Sequence, residues 1–533
     1  MAIRGILLGV AALAVLVSPA LADDAAIEKR LDEMQRMISA QQKQIESQKS
    51  EIGQLRKALT RRGVKVAVEA QAEPPPVTPP PLESRVAAQE SKVDELMAKF
   101  EAEETQTRLV KQDQPIWSIA GGRPTITSGD GRFSLALRAL GQYDTAYYMQ
   151  DARAAKLPAA NGPDLSSGAN FRRVQLGIQG VLFGDWSYNF NYDFAGSGGT
   201  ETPGHIQSVY VEYDGLKPFG LRIGAFPPSA GLEDNTASPD TIFLERNSPA
   251  DLARNIAGGD GRDAVSAFYA GDRFYAALSY TGDKIQDSAV FDEQQAAMGR
   301  LSYLVYSSED IKAVASANGT LVFKAADSAA GPNAARPITL SDPPELTVDN
   351  TGAKLVSTGL LNAESVGEWG AEGAVEWKSL YTQAGYFGYE VDQRAAAPSF
   401  SFDGWYAQAT FVLTGENRPY SSAGSAFANP KPRIPFSLSG GGWGAWELAA
   451  RYSDLDLNDR AGVVGSTLPA GGIRGGAQRI WTAALNWYPN NALKFALQFQ
   501  NVGIGRIGTF QGVANSSVGQ TYDTVALRSQ ISF

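Results

Sequence analysis

Two periodicities divide the chain. From Ile27 the apolar positions recur in steps of four and three: Ile27, Leu31, Met34, Ile38, Ile45, Ile52, Leu55 and Leu59, with Gln41 and Gln48 in the same register. A narrow stripe with a 3.5-residue repeat predicts a coiled coil. At roughly 1.5 Å per residue, Ile27 to Leu59 would make a rod about 50 Å long. The stripe breaks at Glu73–Pro81 (EPPPVTPPP), a stiff polyproline spacer, and resumes at Leu82, Val86, Gln89, Val93, Leu96 and Phe100. A lone helical hairpin is the alternative, but glutamines in so narrow a seam favour oligomerisation. Isoleucine at one seam position and glutamine at the other leave the strand number open.

From about Arg132 the period falls to two. Trp186, Tyr188, Phe190, Tyr192 and Phe194 alternate with Ser187, Asn189, Asn191 and Asp193. The pattern recurs at Trp405–Thr414, Trp446–Ser453, Trp481–Trp487 and Phe495–Gln500, with charge kept off the aromatic side. The final nine residues, Val525–Phe533 (VALRSQISF), repeat it, placing Arg528 and Gln530 on the polar face. Five rings on one exposed strand face would drive aggregation in water but suit lipid. Tight turns are expected at Gly184-Asp185, Asp214-Gly215, Gly271-Asp272 and Pro489-Asn490-Asn491, alternating with long polar segments at Asp151–Gly168, Ala325–Ala363 and Ser422–Gly442. Short turns at one rim and long loops at the other are the plan of an outer-membrane barrel. At about 26 residues per strand with its share of connections, residues 113–533 accommodate roughly sixteen strands. The fold class expected is an all-β transmembrane antiparallel barrel preceded by an α-helical coiled-coil segment.

The amino terminus supports export. Arg4, an apolar run from Ile6 to Val17 and the small residues Ala20 and Ala22 form a secretory signal, predicting a mature start at Asp23. The apolar core is short for an uncleaved anchor, and no later run approaches the roughly 20 residues of a membrane helix. An exported chain without such helices enters a bilayer as a closed barrel, the other way to satisfy every backbone group in hydrocarbon. The expected divisions are therefore signal peptide 1–22, coiled coil 23–72, linker 73–81, second helical segment 82–112 and barrel 113–533.

Composition narrows the chemistry. There is no cysteine, and His205 is the one histidine. Disulfides and thiolate metal sites are excluded, and a Ser-His-Asp hydrolase would have to use His205, which no nucleophile motif accompanies. His205 reads as a solvated loop residue. No enzyme activity, cofactor, metal or nucleic-acid partner is expected. Net charge is −10; residues 1–112 balance 16 basic against 16 acidic groups, leaving 31 against 41 in residues 113–533. Any preference for anions must therefore come from a local arrangement of Arg and Lys.

Several segments together resemble the phosphate-selective porin O/P family: Ser128–Leu135 (SGDGRFSL), Phe171–Gly177 (FRRVQLG) with Gly184–Trp186, Phe243–Arg246 (FLER), Gly404–Gln408 with Leu413–Tyr420 (LTGENRPY), Gly442–Asp456 and Asn486–Asn491. The resemblance runs from about residue 125 to the last residue. It implies a sixteen-stranded trimeric outer-membrane channel, a third external loop folded into the pore and basic residues along an anion path.

Carried over residue by residue, it points to Arg138, Arg172, Arg173, Arg222, Arg246, Arg254 and Arg262 as pore-lining. Glu233, Asp240 and Glu245 belong to the constriction loop, read as Glu233–Arg262. Arg173 lies in the polar phase of its strand, whereas Arg172 lies in the apolar phase and reaches the lumen only if the strand is irregular there. The family often has a third arginine where this chain has Gln175. Pro239-Asp240 stands where phosphate-specific members carry a lysine, a departure that weighs against phosphate selectivity. For each arginine the alternative is a wall salt bridge with Asp144, Asp193, Glu212 or Glu447.

The leading expectation is passive diffusion of small anions, such as phosphate or polyphosphate, across the outer membrane of a Gram-negative bacterium. The alternative is a general or cation-preferring porin whose periplasmic coiled coil also tethers the barrel to the cell wall. Expected partners are outer-membrane lipid and lipopolysaccharide, further copies in a homotrimer, and the barrel-assembly machinery through Phe533.

Overall fold

The computed structural model describes residues 97–99, 114–119, 122–151, 164–195, 204–285, 291–395 and 397–533. The expected signal peptide, coiled coil and linker, and the second helical segment apart from its helical residues 97–99, lie outside the described residues.

Sixteen antiparallel strands form the wall: β1 (Ser134–Gln150), β2 (Gly168–Leu182), β3 (Trp186–Asp193), β4 (His205–Leu216), β5 (Phe219–Ala225), β6 (Arg262–Ala270), β7 (Phe274–Lys284) and β8 (Gln295–Ser307) make one half. β9 (Ile311–Lys324), β10 (Leu361–Trp377), β11 (Leu380–Gln393), β12 (Phe400–Val412), β13 (Ala445–Asp459), β14 (Ile473–Tyr488), β15 (Leu493–Gly505) and β16 (Thr521–Ser532) make the other. Each pairs with its sequence neighbour, and β16 closes on β1 from Tyr522↔Gln150 to Ser532↔Leu140. Closure leaves no edge to expose unpaired backbone groups to hydrocarbon. Phe533 exchanges both backbone hydrogen bonds with Ala139 at 3.1 Å. Just below it, Thr125–Thr127 takes over the pairing with the start of β1.

The period-two pattern sets which face meets lipid. Along β12, Trp405, Ala407, Ala409 and Phe411 are exposed outward while Tyr406, Gln408 and Thr410 are buried inward. Tyr452 packs its ring 5.1 Å from Trp405 and 4.6 Å from Trp481, a belt of aromatics across β12–β14. Toward the long-loop rim the rule inverts. Asp403, Asp454 and Arg479 lie on the outer face there, and Phe402, Leu455, Leu457 and Ile480 are buried inside. Charge thus stays off the aromatic side only along the middle of these strands, because their upper ends back an internal core.

That core occupies one side of the lumen. Residues 226–261, between β5 and β6, turn inward after Gly224, whose φ of 137° and approach to Val209 O leave no room for a Cβ. They form α1 (Leu232–Asn235) and α2 (Ser248–Ala257), the latter capped by Asn247, whose side chain accepts from Ala250 N at 2.9 Å. Leu252, Ala253 and Ile256 of α2 pack with Leu346 and Val356 of the β9–β10 loop and with Met298, Phe387, Tyr389 and Phe402 of the wall. Polar wall residues then hold the loop's backbone: Arg528 donates to Leu244 O at 2.6 Å, Asn486 to Ile242 O at 3.0 Å and Gln530 to Pro239 O at 2.9 Å. Arg528 is itself paired with Asp144 at 2.6 Å, both side chains almost completely buried.

Two expectations about connections need correction. Asp214-Gly215 belongs to the end of β4, and the reversal comes at Lys217-Pro218, where proline presets a turn conformation. The segment Ser422–Gly442 is no long-rim loop. It lies within residues 413–444, which join β12 to β13 at the rim of the tight turns and fold inward. Its tip is caught by Arg300 of β8, which donates to Gly424 O at 2.8 Å and Ser425 O at 2.9 Å, while Arg418 pairs with Glu447 of β13 at 2.8 Å. Composition alone could not assign that polar, glycine-rich stretch to a rim; strand parity does.

Two outcomes follow. Ala483→Arg on the outer face of β14 should cost about 2–4 kcal/mol, as charge facing the bilayer midplane does, measured by urea unfolding in vesicles, with Ala483→Leu near neutral. Burial alone would raise the Glu245 carboxyl, but Arg172, Arg173 and Arg528 hold it well below the usual carboxylate range. Its contribution to loop docking is then full above the ordinary value of about 4.3 and is lost only as pH falls through the depressed one. Single-channel conductance should accordingly show no opening step between pH 7 and about pH 4; a jump there would mean that this carboxylate does not hold the loop.

Candidate functional site

Among the described residues, the inward segments leave a water-accessible cavity above residues 226–261 and another below them. The upper, on the long-loop side, has a volume of about 540 Å³, and the lower about 750 Å³. Arg246, Arg254 and Asp260 line both, so the passage between them runs past these three side chains. Arg254 sits between two carboxylates, 2.7 Å from Asp234 and 2.6 Å from Asp260, and Arg246 lies 3.7 Å from Asp234. Burial would raise the Asp260 carboxyl, but Arg254, Arg173 and Arg246 keep it well below the usual range. Asp260 therefore stays a carboxylate near neutral pH, fixed against Arg254 at the junction.

All seven arginines singled out in the sequence line one of the cavities: Arg172, Arg173, Arg246, Arg254 and Arg262 the upper, Arg138, Arg222, Arg246 and Arg254 the lower. Arg172 reaches the interior through a β-bulge. The β1–β2 register steps from Gln142↔Arg173 to Tyr143↔Phe171, skipping one residue, and both arginines are buried on the inner face. Arg172 forks onto Glu245 at 2.6 and 3.1 Å, and Arg173 donates to Gln142 at 2.9 Å. Arg222 pairs with Glu212 at 2.5 Å and stacks over Tyr210 at 4.4 Å. Arg262 donates to Gly258 O and Gly282 O at 3.0 and 2.9 Å. Wall salt bridges thus coexist with cavity lining. Of the proposed wall acids, Asp144 pairs with Arg528 and Glu447 with Arg418, while Asp193 accepts from Gln175 at 3.0 Å.

The three acids of the loop separate. Asp240 lines the lower cavity and Glu245 the upper, but Glu233 turns to the opposite wall, accepting from Gln408 at 3.0 Å and lying 3.9 Å from Arg451. Burial pushes its carboxyl up despite Arg451 and Arg246. His205 lines the upper cavity.

Five cations that the sequence reading did not single out complete the lining: Arg123, Lys431 and Lys494 in the lower cavity, Lys284 and Lys354 in the upper. Lys494 was visible in the polar phase of its strand. Arg123 precedes the barrel, and Lys431 and Lys354 lie on folded-in segments, where no periodicity marks the inward side. The lower cavity is lined by seven basic side chains against three acidic ones, the upper by seven against six.

The family comparison agrees with this architecture. The family described as phosphate-selective porin O and P matches residues 149–533. Porin O of Pseudomonas aeruginosa is 26% identical over 347 residues, covering 62% of this chain and 76% of the relative. An uncharacterized protein of Caulobacter vibrioides is 26% identical over 391 residues, covering 71% and 70% respectively. Among solved structures, an anion-selective porin from Comamonas acidovorans shares 13% identity at a TM-score of 0.43, covering 75% of this chain and all of that one. OmpT of Vibrio cholerae shares 8% at a TM-score of 0.44, covering 75% and 98%. With the family match extending over most of the barrel, the chain belongs to the phosphate-selective porin O and P family, and is an outer-membrane porin of a Gram-negative bacterium.

Proposed function

We propose that this porin passes small hydrophilic anions by diffusion, with inorganic phosphate or polyphosphate as the class the family suggests. The observation that carries this reading is the charge lining the lower cavity: seven basic side chains against three acidic, within a barrel segment that is acidic overall. Arg123, Arg138 and Lys431 carry no ion-pair partner among the described residues, so their field acts on the passage itself. Low-dielectric walls concentrate that field. An anion leaving water needs donors in series, each attractive enough to admit it and weak enough to release it. Guanidinium suits the task because its fork binds oxyanions while remaining charged. Arg172 and Arg173 open the series, Arg254 and Arg246 stand at the junction, and Arg138 and Arg123 follow.

The near balance in the upper cavity favours a second reading, a general porin with weak charge preference. Asp234 and Asp260 at the junction also argue against tight phosphate capture, because a carboxylate repels an oxyanion held beside its arginine partner. The reading further includes a trimeric assembly, insertion directed by Phe533 and a tethering role for the coiled coil, each resting on the family resemblance or the heptad pattern.

Reversal potentials in a planar bilayer under a KCl gradient test the proposal. The wild-type channel should show anion preference, and cation preference would defeat it. Millimolar phosphate that leaves chloride current unchanged would select the general porin over a phosphate channel. Arg138→Glu combined with Lys431→Glu should lower the anion-to-cation permeability ratio several-fold without breaking an ion pair. Arg173→Glu should shift selectivity in the same direction, and an unchanged ratio would remove Arg173 from the path.

A further inference from the structure

One connection at the tight-turn rim differs from the rest. Those joining the other hairpins have two to four residues, and four of them are polar: Lys217-Pro218, Gly271-Asp272-Arg273, Ser308-Glu309-Asp310 and Lys378-Ser379. Residues 413–444 are far longer. After Asn429, which donates to Pro239 O at 2.7 Å inside the lumen, the chain leaves the interior and turns back along residues 434–443. This return is folded. Phe436 N donates to Pro489 O at 2.7 Å, Ser437 N to Gly442 O at 3.0 Å, and Gly440 N to Ser437 Oγ at 2.9 Å. Gly442 lies so close to Pro435 O that a Cβ has no room. Yet this fixed hairpin turns apolar side chains outward: Leu438 is 94%, Trp443 71% and Ile434 66% exposed. The tip of a turn in water is normally polar, and contiguous apolar surface on an ordered segment marks a binding face.

The surface behind the hairpin names its partner. Trp446, Trp487 and Phe495 stand side by side on the outer face of β13, β14 and β15, with ring centroids 5.4 and 5.5 Å apart. Rings near the strand ends of a barrel form the girdle that meets the lipid headgroups. Phe436 sets its ring edge-on against Trp487 at 5.2 Å. Trp443 O accepts from both indoles, at 3.2 Å from Trp446 and 2.9 Å from Trp487. The hairpin thus engages the indole N–H groups that a girdle ordinarily turns to water, and it continues the lipid-facing surface beyond the wall. Residues 430–446 also carry Lys431 and Arg433 without one acidic side chain. Aromatic and aliphatic groups beside basic ones suit the boundary of an anionic lipid layer. We propose that residues 433–443 are an interfacial wedge, seating Ile434, Leu438 and Trp443 among the phospholipids of the periplasmic leaflet. The short turns of such barrels face the periplasm, which fixes the leaflet. Lipid then holds the outer part of the same connection whose inner tip is caught by Arg300. The assignment is independent of which ions the channel prefers.

Fluorescence quenching of the full chain in vesicles of phosphatidylethanolamine and phosphatidylglycerol tests it. The chain has no cysteine, so a single one takes an environment-sensitive fluorophore without background. Leu438→Cys and Trp443→Cys carry the probe on the hairpin; Ala483→Cys on β14 is the lipid-facing reference, and Asp310→Cys in the β8–β9 turn the water-facing one. Both hairpin side chains point away from the interior, so labelling leaves the barrel intact, and heat-modifiable migration verifies it. Lipid brominated near the headgroup end of its acyl chains should quench both hairpin probes at least about threefold more than the Asp310 probe, and aqueous iodide should quench them correspondingly less. Iodide quenching equal to that at Asp310, without quenching by brominated lipid, would overturn the proposal and leave the patch to a soluble periplasmic protein. Protection from both quenchers would overturn it as well, because a second copy would then be what covers the hairpin.

Discussion

The structure depends on a constraint set by the bilayer. No water reaches the hydrocarbon to satisfy backbone groups, so the sheet must close, and sixteen strands close around a lumen that side chains alone cannot fill. The chain fills it with its own connections. Residues 226–261 enter from the long-loop rim, residues 413–444 from the tight-turn rim, and the β9–β10 loop packs behind them. Each inward segment brings backbone carbonyls and carboxylates into the interior, and wall side chains meet them: Arg528 at Leu244, Arg300 at Gly424 and Arg451 at Glu245. The buried arginines are therefore first of all the partners of the loops.

That division of labour explains where the passage runs. One side of the lumen, along β8–β15, is closed by an apolar core around α2, with Met298, Phe387, Tyr389 and Phe402 contributed by the wall. Water is left the side bounded by β1–β7, where Arg138, Arg173 and Arg222 face it. A salt bridge on the wall and a group on the path are not exclusive roles, as Arg172 and Arg222 show. Their partners Glu245 and Glu212 hold them in place, while both side chains still line a cavity.

Much of this was legible because a two-residue period needs only local sequence. Trp405 and Phe411 outward, Tyr406 and Gln408 inward, the number of strands and the closing role of Val525–Phe533 all follow from alternation and its breaks. The arginines reach the cavities for the same reason, since Arg138, Arg173 and Arg222 lie in polar phases. What alternation cannot reach is the folded-in chain. Lys431 and Lys354 have no strand phase, Glu233 and Glu245 of one loop face opposite walls, and Ser422–Gly442 gives no local sign of its rim. The apolar inner faces at Leu455 and Ile480 lie beyond its reach for a related reason, because what they contact is a loop core assembled from distant sequence.

The bulge at Arg172 and Arg173 carries a consequence for how such a barrel can change over generations. Above it even-numbered residues of β2 face inward, below it odd-numbered ones, and the two arginines occupy the point where the phase switches. Loss of the single codon for Arg172 would leave Phe171 outward and Arg173 inward in an unbroken ladder. The cation content at this level of the lumen can thus step between one and two without any strand sliding past its neighbour. Insertion and deletion, ordinarily ruinous inside a membrane sheet, become at this position a means of adjusting the charge of the channel.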